Sequence, residues 1–161
     1  VRVIGGRLRG ARLKSLPGKR VRPSLGRVRE WIFTVVGERV VGADVLDLYA
    51  GTGSLGIEAL SRGARRALFV EREREAVDLI RENLDRLGLE AEVWQSDVHR
   101  ALERMRGQFD LVLADPPYGS LSKLEREVLP GLPLKEGGIA VIEYSRHDAW
   151  RWGGCTPWRE K

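Results

Sequence analysis

Asp44-Val45-Leu46-Asp47-Leu48-Tyr49-Ala50-Gly51-Thr52-Gly53-Ser54-Leu55-Gly56-Ile57-Glu58 is the stretch that decides the fold. A short apolar run, Val45 to Leu48, feeds a glycine-rich turn, Ala50 to Ser54, and the residues from Leu55 to Leu60 have apolar spacing that suits a helix. Strand, glycine loop and helix N-terminus in that order make a site for a nucleotide-like ligand. Glycines let a ligand approach the backbone, and the N–H groups of the first helical turn face it without intrahelical partners. Gly51, Gly53 and Gly56 also satisfy G-x-G-x-x-G, and Glu71 stands at the distance expected of an acid that accepts from ribose hydroxyls. Alone the pattern is weak, because glycines also serve simply to turn a strand into a helix.

The next chemistry-bearing strand end strengthens it. Phe109 to Ala114 reads as a buried strand and runs into Asp115-Pro116-Pro117-Tyr118. In an open α/β sheet of strand order 3-2-1-4-5, strands 1 and 4 are neighbours at the topological switch point, and ligands bind outside their carboxyl ends. With strand 1 ending at Asp47 and strand 4 at Asp115, the glycine loop and the proline turn flank one crevice. The other expected elements fall around this pair. A helix starts at Pro23 or Ser24 and runs to about Val36, where Gly37 stops it. Strand 2 covers Ala67 to Val70 with Glu71 at its end. A helix from Arg74 to Leu87 buries Ala76, Val77, Ile80, Leu84 and Leu87 and stops at Gly88. Strand 3 spans Glu90 to Trp94, a helix Val98 to Met105, a further helix Lys123 to Leu129, and strand 5 Ile139 to Tyr144. The fold class is therefore α/β, a Rossmann-like sheet with helices on both faces.

At 161 residues, 42% hydrophobic and 32% charged, the chain has the size and composition of one globular domain. The expected division is a basic hairpin extension over 1–22, a cofactor-binding and catalytic core over 23–144, and an irregular or truncated tail over 145–161. No apolar run approaches a membrane span and no signal core opens the chain, so the expectation is a cytoplasmic monomer without a membrane partner. Cys155 is the single cysteine, and neither His99 nor His147 has ligand spacing, so no metal is expected. The net charge of +5 conceals a segregation: residues 1–29 hold ten basic residues and no acid. Like charges packed together repel and usually serve an anionic partner. Val1, Val3, Leu8 and Leu13, with Gly5, Gly6 and Gly10 between them, read as a small β-hairpin that offers its cations to nucleic-acid phosphates.

Asp47-Leu48-Tyr49-Ala50-Gly51-Thr52-Gly53 resembles the S-adenosylmethionine loop of class I methyltransferases. Asp115-Pro116-Pro117-Tyr118 resembles the [Asp/Asn]-Pro-Pro-[Tyr/Phe] motif of those that methylate exocyclic amino groups. Ile4-Gly5-Gly6-Arg7-Leu8-Arg9-Gly10 is similar to the opening of the bacterial 16S ribosomal RNA guanine-N2 methyltransferases. So are Arg22-Pro23-Ser24 followed by Arg27-Val28-Arg29-Glu30 and Phe33, and Leu60-Ser61-Arg62-Gly63-Ala64. The likeness runs from residue 3 to about 144.

That resemblance implies S-adenosylmethionine as cofactor, contacted by Asp47, Tyr49, Ala50, Gly51, Gly53, Glu71, Asp97 and Val98. It implies catalysis by Asp115, Pro116, Pro117 and Tyr118, with the Asp115 carboxylate and Pro116 carbonyl accepting from the amine and Tyr118 stacking on the base. The implied partner is ribosomal RNA or the small ribosomal subunit, met by Arg2, Arg7, Arg9, Arg12, Lys14 and Arg22. Such folds add an antiparallel pair after strand 5, whereas Trp150 to Pro157 is poor strand material, so the final antiparallel strand is expected to be missing or the sequence shortened. Asp97 serves equally as an adenine acceptor or a helix N-cap, and Glu71 could cap the helix after it. Adenine N6 in RNA or DNA, a protein amide, a non-enzymatic RNA-binding role and a nicotinamide oxidoreductase stay open as alternatives.

Overall fold

The computed structural model describes residues 1–16, 23–117, 119–144 and 151. Five strands form one parallel sheet in the order β3-β2-β1-β4-β5, with β1 at Asp44–Leu48, β2 at Arg66–Glu71, β3 at Glu92–Gln95, β4 at Phe109–Ala114 and β5 at Leu134–Ile142. This is the switch-point order expected, and it makes β1 and β4 direct neighbours, with Asp47 opposite Leu113 and Leu48 opposite Ala114. The helices are α1 (Pro23–Val36), α2 (Ser54–Ser61), α3 (Arg74–Leu87), α4 (Val98–Arg104) and α5 (Leu121–Glu127).

Parallel strands must be covered on both faces, and successive side chains alternate between them. Val45, Phe69, Leu111, Leu113 and Val141 point into one apolar cluster with Ile32 and Phe33 of α1, Ile57 of α2 and Ile80 of α3. Leu46, Leu48, Val70, Val112, Ala114 and Ile142 point into the other, with Val98 and Ala101 of α4 and Leu121 and Leu124 of α5. The crossovers thus place α2 and α3 on one face and α4 and α5 on the other, and α1, ahead of β1, joins the first pair.

Strand 5 starts earlier than the sequence suggests, at Leu134 rather than Ile139, and ends at Ile142. Leu134 pairs with Phe109 and Ile139 with Leu111, and residues 135–138 fall between them at a register irregularity, with Gly137 at φ 75°. The expected helix at Lys123–Leu129 sits two residues earlier at each end, and a short 3-10 turn, Leu129–Gly131, follows it. The N-terminal segment is an antiparallel return closed by one bridge, Arg2 to Arg12, rather than a hairpin of regular strands. Arg22 and the sequence after Tyr144, Arg151 excepted, lie outside the described residues, so the expected missing strand falls there too.

That return is docked, not free. Val3 and Leu13 are buried in the α1–α3 cluster. Glu58 of α2, with no exposed surface, accepts from the Ile4 and Gly5 N–H groups at 2.8 and 2.7 Å. Ser61 accepts from Leu8 N–H at 3.0 Å and donates to the Gly5 carbonyl at 2.6 Å. Gly6 passes so close that a Cβ there would stand 1.9 Å from the Ser61 carbonyl oxygen.

Candidate active site

The glycine loop leaves β1 through Tyr49, which adopts a left-handed φ of 57°, a conformation that costs a side-chain-bearing residue about 1 kcal/mol or more. The turn lets Ala50 N–H reach the Val70 carbonyl at 3.1 Å and Gly53 N–H reach the Ala50 carbonyl at 2.7 Å. Gly53 then opens α2 with φ 76°. Gly56 is required for packing: a Cβ there would fall 2.3 Å from a Phe69 ring carbon and 3.0 Å from an Asp47 oxygen. The third glycine of the fingerprint therefore seats α2 against β2.

Four carboxylates follow the strand alternation. Asp47, Glu71, Asp115 and Glu143 sit at or just beyond the carboxyl ends of β1, β2, β4 and β5, each in phase with the side chains that face α1–α3. Asp47 is 1% exposed and accepts from Gly56 N–H at 2.8 Å, so it holds the loop from beneath instead of lining the crevice. Burial pushes its carboxyl well above the usual range; the Gly56 bond opposes this, and the charges of Asp115 and Glu71 add to it. Glu71 ties the crevice rim together. One oxygen accepts from Gly51 N–H at 2.8 Å and the other from Arg72 and Glu73 N–H at 2.7 and 2.9 Å. It is half-buried and lies beside the glycine loop, where a ribose could exchange for the Gly51 bond.

Asp115 follows β4 directly. Solvent reaches its side chain, yet protein crowds it closely enough for burial to raise its carboxyl. Pro116 is buried and Pro117 exposed. Ser120 donates both its N–H, at 3.2 Å, and its hydroxyl to the Pro117 carbonyl, closing the turn before α5. Among the described residues no backbone bond ends on the Pro116 carbonyl. Tyr118 lies outside the described residues.

Asp97 caps α4, accepting from His99 N–H at 3.0 Å, with Val98 buried behind it. Tyr49 points to the α4–α5 face, where burial first, then the charges of Asp97 and Glu127, push its hydroxyl up to about 12. Of the arm cations, Arg2, Arg7, Arg9 and Arg12 are exposed, Arg2 also donating to the Gly10 carbonyl at 3.0 Å, while Lys14 pairs with Glu82. A cavity of about 550 Å³ lined in part by Arg66, Trp94, Arg104 and Phe109 opens near the amino ends of β2–β4, the opposite end of the sheet from this chemistry. No described helix is long and apolar enough to cross a membrane.

Sequence reasoning missed Glu143 and Glu58. Glu143 N–H donates to the Ala114 carbonyl at 2.9 Å, extending the β4–β5 pairing past Ile142. Burial, then the Asp115 charge, raises its carboxyl to about 7. The expected strand 5 runs on to Tyr144 and so places Glu143 inside it; only its end at Ile142 sets Glu143 just beyond the strand, as Asp115 is beyond β4.

A family model described as "Conserved hypothetical protein 95" matches residues 1–159. The chain is 38% identical to the YlbH protein of Bacillus subtilis over 153 residues, covering 91% of this chain and 83% of that one. It is 36% identical to the Ribosomal RNA small subunit methyltransferase D of Haemophilus influenzae over 123 residues, covering 73% of this chain and 64% of that relative's length. Among solved structures, the yhhF protein of Escherichia coli superposes with a TM-score of 0.84 at 30% identity, covering 96% of this chain and 86% of that one.

Proposed function

Because the chain belongs to the family described as Conserved hypothetical protein 95, we propose that it methylates the exocyclic N2 amine of a guanine in small-subunit ribosomal RNA, with S-adenosylmethionine as donor. We read residues 1–161 as one methyltransferase domain, acting as a cytoplasmic monomer on ribosomal RNA or the small subunit. The observation that carries the reading is the adjacency of β1 and β4, which sets the glycine loop and the Asp115-Pro116-Pro117 turn on one crevice. A relative named for the same substrate class, the Haemophilus influenzae enzyme, supports it.

The residues fit the cofactor. A loop with backbone approach at Gly51 and Gly53, an acid at the end of β2, and further carboxylates in the crevice suit a ribose and a cation. S-adenosylmethionine supplies an electrophilic methyl group on a sulfonium. Guanine N2 is a poor nucleophile because its lone pair is delocalised into the ring. The Asp115 carboxylate and the Pro116 carbonyl, accepting from its two hydrogens, turn that lone pair towards the methyl group. Two successive prolines fix the turn, so both acceptors are pre-organised. As the N–C bond forms and the sulfonium S–C bond breaks to leave a thioether, the Asp115 charge would stabilise the positive charge that develops on nitrogen and its carboxylate would take up the proton the amine loses. The base must leave its helix or loop to enter, and Tyr118 stacks on it.

The test is mass spectrometry of nucleosides from ribosomal RNA incubated with the protein and S-adenosylmethionine. N2-methylguanosine supports the reading; N6-methyladenosine, or no methylation of RNA or assembled subunits, refutes it.

A further inference from the structure

Guanine presents two neighbouring donors on its Watson–Crick edge, the N1–H and the N2 amine, whereas adenine presents an acceptor at N1 beside its N6 amine. An amine seated against Asp115 therefore brings either a donor or a lone pair to the next protein group along the crevice. That group comes from β5. The Glu143 N–H bond to the Ala114 carbonyl, 2.9 Å, continues the parallel pairing one residue past β5 and sets Glu143 beside Asp115. Strand alternation aims both side chains to the α1–α3 side of the sheet, where Val141 and Leu113 precede them. Glu143 is half-buried, so part of its side chain is open to a ligand.

We propose that Glu143 is a second base-contacting residue of this site, accepting the guanine N1–H while Asp115 holds the N2 amine, and that it thereby sets guanine over adenine. The assignment rests on the amine-methylation reading above and adds the determinant of base choice. An ionised carboxylate opposite adenine N1 would set lone pair against lone pair and leave a desolvated charge unpaired, which is how a site rejects a near-isostere. Opposite guanine it makes a charge-assisted bond.

The structure also fixes the sign of a pH dependence. Among the described residues the charge that bears on Glu143 is that of Asp115, on the neighbouring strand end, and with burial it raises the Glu143 carboxyl to about 7. The accepting form is thus favoured above neutrality, and guanine methylation rises with pH through that range.

The experiment measures kcat/KM on ribosomal RNA transcribed in vitro, from pH 6 to 9, for the wild type, Glu143→Leu and Glu143→Gln. We expect Glu143→Leu to lower kcat/KM about 10- to 100-fold, with S-adenosylmethionine affinity within about twofold by calorimetry. Glu143→Gln, which keeps an acceptor of the same shape and no titration, should lose less and remove the rise near pH 7 from the profile, leaving the titration of Asp115, whose carboxyl burial also raises. Should the leucine variant fail to fold, the glutamine variant's profile decides alone. Wild-type kcat/KM and pH profile in both variants would overturn the assignment while leaving the guanine-N2 reading intact. A wild type that yields N6-methyladenosine would overturn that reading first, and this one with it.

Discussion

Replacing Glu58 should unseat the basic segment and weaken the whole domain. Its carboxylate accepts from Ile4 and Gly5 N–H at 2.8 and 2.7 Å and from Arg62 Nε at 2.8 Å, with Arg29 Nε 3.6 Å away. Arg29 is itself 5% exposed, donates to the Arg2 carbonyl at 2.6 Å, and has its guanidinium pushed down by burial. Glu58→Ala strands two backbone donors at about 1–3 kcal/mol each. It also leaves Arg29 buried without its counter-ion, and loss of one partner from a buried pair costs about 3–5 kcal/mol. These terms overlap, so the expected loss is about 3–5 kcal/mol in all. Glu58→Gln keeps one acceptor and should cost about 2 kcal/mol. Urea unfolding by circular dichroism, with m unchanged, reads the shift. A Glu58→Ala protein within about 0.5 kcal/mol of wild type would refute the claim that this carboxylate anchors the segment. The same packing means that deleting residues 1–15 exposes core, since Val3 and Leu13 go with them. The RNA role of the segment must be tested by point substitution instead.

Arg7, Arg9 and Arg12 replaced together by alanine should keep the fold and flatten the salt dependence of RNA affinity by about 0.7 for each phosphate they neutralise on a single strand; an unchanged slope in filter binding removes them from the interface. Asp115→Ala should abolish methyl transfer with cofactor affinity nearly intact, and a fully active variant would sink the mechanism. Glu71→Ala should weaken S-adenosylmethionine binding by about 1–3 kcal/mol, and calorimetry showing equal affinity would take Glu71 out of the site. Asp47 carries a raised carboxyl in the fold, so the folded state holds its proton more tightly than the unfolded chain. Its contribution is present at low pH and lost as pH rises through the folded value. Asp47→Asn, which can still accept from Gly56 N–H, should therefore gain stability relative to wild type as pH rises above the ordinary carboxylate range; a constant difference in urea midpoint contradicts this.

Much of the fold was legible because burial and periodicity agree along the central strands. β4 and α3 begin and end where the sequence places them, since a both-face-buried strand is a continuous apolar run and α3 has a clean polar face with Gly88 in the left-handed stop. The start of β5 was not legible. Lys135 points its ammonium at Asp44 and Asp110, at 3.1 and 3.0 Å, so its charge reflects an ion cluster at the sheet's amino end and not a loop. The glycine loop and the proline turn were legible as a pair, because strand order alone brings them together. Glu58 and Asn83 were not: each sits in a helix as an ordinary polar residue, and only the docked N-terminal segment, dozens of residues away, explains its burial.

Asn83 changes what the basic segment means for the site. It has no exposed surface, and its side-chain oxygen accepts from Lys14 N–H at 2.8 Å while its amide donates to the Lys14 carbonyl at 3.2 Å and to the Thr52 carbonyl at 3.4 Å. Thr52 belongs to the glycine loop, and Lys14 ends the docked return. One buried amide therefore fixes both, and neither can leave its place without stranding polar groups that water does not reach. The segment expected to reach for RNA and the loop expected to hold the cofactor share this support, and α2 links them again through Gly53 at its start and Glu58 inside it. If RNA bound at Arg7 and Arg9 changes the affinity of the loop for the cofactor, linkage requires the cofactor to change RNA affinity by the same factor; equal RNA affinity in filter binding with and without saturating cofactor would show that this shared support carries no coupling.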